Sequence, residues 1–201
     1  MSVIALTGNL ASGKTTVLRL LKQKGALIFD ADNTIHGYYR DRNNSVYKKI
    51  AVLFPKAATR RIICRKKLAS IVFSDSSQLN KLESIVHPVI IKELLSWVKD
   101  CKNKRGIYIA EVPLLFEKNL ERYFDRVILV TAKRKVLIQR IIKKYKFSQI
   151  QTLKRLSLYM PIKEKIKRSD FIIDNSFDLR KVKKEVDLLW KKLRQNQRVK
   201  K

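Results

Sequence analysis

Apolar residues along this chain follow two rhythms. Short runs at Val3–Thr7, Ala26–Asp30, Ile107–Val112, Arg126–Thr131 and Phe171–Asp174 have strand character. Between them, apolar residues recur at three- and four-residue spacing, as on the buried face of a helix. The plainest case is 178–195, where Leu179, Val182, Val186, Leu189, Trp190 and Leu193 form one stripe. That stripe predicts a closing helix packed on a sheet. Five strands alternating with helices predict a parallel sheet covered on both faces, with chemistry at the carboxyl ends of the strands.

Two stretches break the alternation. Residues 33–100, between the second and third strands, are helix-rich and too long for a plain crossover. They suit an insertion that binds an acceptor substrate. Within them His87-Pro88 predicts the end of one helix and the start of the next, because proline constrains the residue before it. Residues 133–168 carry many positive charges on a helical pair and suit a mobile lid. The remaining core is 1–32, 101–132 and 169–195. A basic tail follows over 196–201, with fraying expected from Gln195 onward. A length of 201 residues suits one α/β domain with such an insertion.

The candidate chemistry starts at Gly8-Asn9-Leu10-Ala11-Ser12-Gly13-Lys14-Thr15, which fits the G-x-x-x-x-G-K-[ST] phosphate-binding pattern. A strand precedes it and helical spacing follows, the context that separates such a site from a chance glycine-rich turn. Backbone N–H groups of the loop and the positive end of the next helix attract phosphate. Gly8, Ala11, Ser12, Gly13, Lys14, Thr15 and Thr16 are the nucleotide-binding candidates. Lys14 reaches the β- and γ-phosphates, and the Thr15 hydroxyl ligates Mg²⁺. Asp30 and Asp32 close the second strand, where alternation puts them on one side. Asp32 is the candidate for orienting or deprotonating an acceptor hydroxyl. Either carboxylate could instead cap the next helix. Glu111, ending the third strand, is a second candidate at the metal. Leu115 and Phe116 could line a pocket, or belong to the core. Arg140, Lys144 and Arg155 fall in the lid, and Arg140 stands out on a mostly apolar helix. Asn175 ends the last strand near the expected place of an adenine ring, although a turn or cap would use it equally well.

The net charge is +29, with 46 Lys and Arg against 17 Asp and Glu. Such a surface attracts polyanions in a salt-sensitive way. The chain lacks zinc-ligand spacing, an aromatic RNA-binding signature and a basic zipper pattern. The charge therefore predicts a solvated surface and no specific nucleic-acid partner. Cys64 and Cys101 lie far apart without a C-x-x-C, which suits reduced thiols in the cytoplasm. No apolar run approaches the ~20 residues that span a bilayer. The apolar start reads as the first core strand and not as a signal peptide.

The ordered set of motifs resembles the dephospho-CoA kinase family. It comprises the loop at 8–16, Asp30-Ala31-Asp32, Leu68…Val72-Phe73, Leu82-Glu83…His87-Pro88, Trp97, Pro113-Leu114-Leu115-Phe116-Glu117, Phe124-Asp125, Arg140, Met160-Pro161…Lys165…Lys167-Arg168-Ser169-Asp170 and Ile173-Asp174-Asn175. The resemblance runs from Val3 to about Trp190. It implies an α/β, P-loop nucleoside triphosphate hydrolase-type, three-layer α/β/α fold with a five-stranded parallel sheet, a helical substrate insertion and a lid. It implies transfer of the γ-phosphate of ATP to the ribose 3′-hydroxyl of dephospho-CoA, with ATP and Mg²⁺ in the site and a monomer or small homo-oligomer. Carried over, Lys14 holds phosphates, Asp32 is the general base, Arg140 is a lid cation and Asn175 lies near adenine. His36, Arg65, His87, Leu115 and Phe116 belong to the acceptor site. The chain departs from the family pattern at Asn9 and Ala11, which replace glycines. His36 stands where Arg is common, and Lys144 where a lid Arg is common. The residues leave open another small-molecule or nucleotide kinase of this fold and, from a different class, a basic nucleic-acid binder.

Overall fold

A computed structural model of the chain describes residues 2–59 and 61–198, with the side chains of 32, 73, 74, 76 and 196–198 outside the described set. All five predicted strands form: β1 (Ser2–Thr7), β2 (Leu27–Phe29), β3 (Ile107–Glu111), β4 (Arg126–Thr131) and β5 (Phe171–Asp174). They make one sheet, parallel throughout, in the order β2-β3-β1-β4-β5. Parallel pairing of β1 with both β3 and β4 puts the ends of β1, β3 and β4 on one edge, where the phosphate loop begins.

The chain divides into two compact units, Met1–Phe29 with Val98–Lys201, and Asp30–Trp97. In the first unit, α1 (Lys14–Gln23) and α9 (Leu179–Arg198) pack together over one face of the sheet. Val17, Leu21, Val182, Val186 and Leu189 cover Ile4, Leu6, Ile109, Ile128 and Val130 there. The alternate strand residues Val3, Ala5, Tyr108, Ala110, Val127 and Leu129 are buried too, so both faces of the sheet are covered. Each buried Val, Leu or Ile among them contributes roughly 1.5–3 kcal/mol through burial. The predicted stripe of α9 is therefore a packing surface. The helix continues beyond the expected fraying point, to Arg198, and residues 199–201 of the basic tail lie outside the described residues. The 133–168 stretch holds three helices where a pair was predicted: α6 (Arg134–Tyr145), α7 (Gln149–Leu156) and α8 (Ile162–Lys167). Ser148 and Gln151 form a capping box that starts α7.

The second unit is helical, with α2 (Ala31–Arg40), α3 (Ser45–Leu53), α4 (Arg65–Ser74) and most of α5 (Ser76–Cys101). Its own core holds Tyr39, Val46, Tyr47, Ile50, Phe54, Ile63, Leu68 and Val72. Asn44 caps α3 through the Val46 N–H at 2.8 Å. One expectation fails here: α5 runs unbroken through His87-Pro88. A proline inside a helix forfeits a backbone bond and costs ~3 kcal/mol. Leu79, Leu82, Ile85, Val86 and Val89 nevertheless pack on the unit core on both sides of Pro88. Tertiary packing carries the helix past its own breaker.

Candidate active site

Between β1 and α1 the chain must turn sharply while staying close to its neighbours. Gly13 sits at φ 94°, in the left-handed region. A Cβ there would lie 1.8 Å from Asn175 Nδ2, and one on Gly8 would lie 2.1 Å from the Val130 carbonyl oxygen. Both positions demand glycine for space as well as angle. Asn175 Nδ2 donates to the Ser12 carbonyl at 2.8 Å. Arg140 Nη2 donates to the Asn175 carbonyl at 2.9 Å. The end of β5 and the helix α6 therefore brace the loop from behind.

Lys14 is folded back over this loop, donating to the Gly8 and Asn9 carbonyls at 3.0 and 3.2 Å. Its ammonium lies 4.0 Å from Glu111. Burial pushes the Lys14 ammonium below the usual lysine range. The Glu111 carboxylate opposes that, and the charges of Lys165 and Lys144 add to it. In front of the loop opens a cavity of about 970 Å³, lined by Ala11, Gly13, Lys14, Thr15, Thr16, Glu111, Arg140, Lys143, Lys144, Tyr145, Tyr159, Asn175 and Phe177, among others. Four of those side chains are cationic and one is a carboxylate. Ser12 Oγ and Arg140 Nη1 are buried without a hydrogen-bond partner among the described residues. Buried donors left open beside a basic, loop-lined cavity are what a polyphosphate would satisfy.

A model of the dephospho-CoA kinase family matches residues 2–181. The chain belongs to the dephospho-CoA kinase family. It is 37% identical to a dephospho-CoA kinase of Aquifex aeolicus, over 96% of this chain and 98% of that one. It is 34% identical to one of Helicobacter pylori, over 96% and 97%. The solved structure of a dephospho-CoA kinase from Campylobacter jejuni shares the fold, with a TM-score of 0.69 at 23% identity over 94% of this chain and 96% of that one. Members of the dephospho-CoA kinase family are ATP-dependent phosphotransferases, so ATP is a substrate here.

Within this dephospho-CoA kinase framework, the predicted residues sort into three groups. The first lies at the cavity in the sheet unit and comprises Gly13, Lys14, Thr15, Thr16, Ala11, Glu111, Arg140, Lys144 and Asn175. Lys143, Tyr145, Tyr159 and Phe177 join them there, although nothing in their spacing marked them. Arg155, expected in the lid with Arg140 and Lys144, lies on α7 with its guanidinium over the Phe147 ring, 4.6 Å from its centre. The Asn175 amide is engaged with the loop carbonyl, so its observed work is on loop shape.

The second group lies in the helical unit. His36 and Arg65 line a separate cavity of about 580 Å³ together with Arg40, Cys64 and Lys66. The third group corrects the sequence reading. β2 stops at Phe29, and Asp30 caps α2 by accepting from the Asn33 N–H at 2.8 Å. Asp32 therefore stands in the first turn of a helix, and strand alternation does not relate it to Asp30. Its side chain is outside the described set. Leu115 and Phe116 line neither cavity; they are 0% and 1% exposed. The apolar loop after β3 is core, because it folds back beneath the 160–168 stretch, where Arg168 lies over the Phe116 ring at 4.9 Å. His87 is exposed on α5 and lines neither cavity.

Proposed function

We propose that this chain transfers the γ-phosphate of ATP to the 3′-hydroxyl of the ribose of dephospho-CoA, giving CoA and ADP. The reading is carried by the braced phosphate loop opening on a cavity with Lys14, Arg140, Lys143 and Lys144 on its walls. Phosphoryl transfer spreads charge over the equatorial oxygens, and fixed cations lower its barrier. The acceptor oxygen forms a bond to the γ-phosphorus while the bond from that phosphorus to the bridging β–γ oxygen breaks. ADP leaves with the bridging oxygen. Asp32, which follows the carboxyl end of β2, takes the hydroxyl proton.

Magnesium fits the same place. Thr15 offers a hydroxyl and Glu111 a carboxylate at the cavity, and Mg²⁺ favours few protein oxygens with substrate phosphates completing its shell. When bound there, the ion would supply charge neutralisation for the transferred phosphate. The acceptor reading places the anionic part of dephospho-CoA against His36, Arg40, Arg65 and Lys66 in the helical unit. Free thiols at Cys64 and Cys101 suit a reducing, cytoplasmic compartment. No helix among the described residues is long and apolar enough to cross a membrane.

The test is ADP release from Mg-ATP with dephospho-CoA, shikimate and nucleoside monophosphates offered in turn. The expected result is turnover with dephospho-CoA alone. Turnover of another acceptor, with none of dephospho-CoA, overturns the reading.

A further inference from the structure

Among the described residues of the sheet unit, the most deeply buried charge does not itself line the phosphate-site cavity. Lys165 of α8 is 0% exposed, and its ammonium sits 2.9 Å from Glu117 Oε1. The same carboxylate oxygen accepts the Met160 N–H at 2.9 Å. The Lys165 ammonium also lies over the Tyr159 ring, 5.1 Å from its centre. Tyr159 is a wall of the phosphate-site cavity. One buried pair thus holds a backbone amide, a helix and a cavity side chain together.

Lys165 is fully buried while the Glu117 side chain keeps 16% exposure; removing such a pair from water is costly, and it is a poor source of stability compared with apolar packing. What it supplies is direction. Glu117 follows β3 by a short loop and belongs to the fixed core, whereas Tyr159 and Met160 end the segment that carries α6 and α7. Arg168 adds a second tie, pairing with Glu121.

We propose that the Glu117–Lys165 pair is a positioning device for phosphoryl transfer, fixing the 159–161 turn and the Tyr159 ring at the cavity wall so that α6, joined to that turn through α7, presents Arg140, Lys143 and Lys144 to the nucleotide from a set pivot. This rests on the kinase reading above. Lys165 and Glu117 are positioning residues that act through Tyr159 and the segment before it. Misplacing catalytic groups by about 1 Å can cost on the order of a hundredfold in rate.

The experiment compares wild type with Lys165→Met, Lys165→Arg, Glu117→Gln, Tyr159→Leu and the double variant Lys165→Met/Tyr159→Leu. It measures kcat, KM for ATP, ADP affinity by calorimetry, and the hydrogen-exchange protection that ADP confers on residues 134–158. Lys165→Met is expected to lower kcat between about tenfold and about a hundredfold with ADP affinity within about threefold of wild type. Tyr159→Leu reproduces the loss, the double variant adds nothing further, and Lys165→Arg recovers most of the rate. Nucleotide-dependent protection of 134–158 weakens in the variants that lose rate. Folded variants with wild-type kcat and wild-type protection overturn the inference, as do additive losses that simply track thermal stability. If Lys165→Met does not fold, Glu117→Gln and Tyr159→Leu carry the same comparison. Failure of the kinase reading is separate: it is absence of wild-type turnover, whereas the protection experiment needs only ADP.

Discussion

The cavity at the phosphate loop and the cavity of the helical unit are built in opposite ways. The phosphate-side cavity is held by contacts between residues distant in sequence. Asn175 reaches back 163 residues to Ser12, Arg140 ties α6 to the end of β5, and Glu117 holds Lys165. The helical unit's cavity is presented by neighbours in sequence, with His36, Tyr39 and Arg40 on α2 and Ile62 to Ala69 leading into and along α4. Its shape depends on local caps and on a small apolar core. The donor side of a kinase must place charge against a transition state common to all its turnovers, and cross-bracing serves that. If the helical unit's cavity takes the acceptor, as proposed, that side has only to recognise and deliver a hydroxyl, and a locally folded unit is sufficient.

On the proposed function, the largest effects should come from Lys14 and Asp32. Lys14→Met is expected to lower kcat by on the order of 10³-fold or more, because among the described residues no other cation is anchored on the Gly8 and Asn9 carbonyls. Asp32→Asn should lower kcat by about 10²- to 10⁴-fold while ADP binding by calorimetry stays near wild type. Equal loss of binding and turnover in Asp32→Asn would remove the base role.

An intermediate effect sharpens the comparison itself. Asn175→Ala removes the brace beneath Gly13 and leaves the Ser12 carbonyl unpaired in a buried place. It should destabilise the fold by about 1–3 kcal/mol, read by denaturant titration, and raise KM for ATP. Unchanged stability and KM would mean that the loop holds its shape without β5.

A smaller effect concerns pH. Burial would raise the Glu117 carboxyl, but the hydrogen bonds from Lys165 and the Met160 N–H outweigh it and hold that carboxyl below the usual range. A lowered carboxyl binds fewer protons in the folded state. The stability it contributes is present above the unfolded value of about 4.3 and is lost as pH falls through the folded value. Wild type should therefore lose more stability on acidification below about pH 4.3 than Glu117→Gln does. Parallel curves would contradict the pair. The smallest effect is at Ala11, which stands at φ 59° in the left-handed region. Ala11→Gly should stabilise the protein by up to about 1 kcal/mol by thermal unfolding. A clear loss of stability would show that its methyl group packs.

The sheet and the phosphate loop were legible in the sequence because both are written in local spacing. Dense apolar runs marked the strands, and the Gly8 to Thr15 pattern marked the loop. Features made by distant residues were not legible. Nothing near Asn175 says that its amide meets Ser12, and in a chain with 46 Lys and Arg no spacing marks Lys165 as buried. Leu115 and Phe116 resembled pocket lining because an apolar loop reads the same whether a ligand or α8 covers it. Pro88 misled for a related reason. A breaker is a local signal, and the packing of Leu82, Ile85 and Val89 that overrides it is not. Asp30 was readable as a cap, and once it caps α2 the strand cannot extend to Asp32.

The division of labour between the two cavities is tested most directly by initial rates with ATP and dephospho-CoA both varied, for wild type, Asn175→Ala and Arg65→Ala. Arg65→Ala should raise KM for dephospho-CoA by about tenfold through loss of a charged contact, and leave KM for ATP within about twofold. Asn175→Ala should do the reverse. If Arg65→Ala weakens ATP instead, or if both variants shift both constants alike, the donor and acceptor sites are not separated as described.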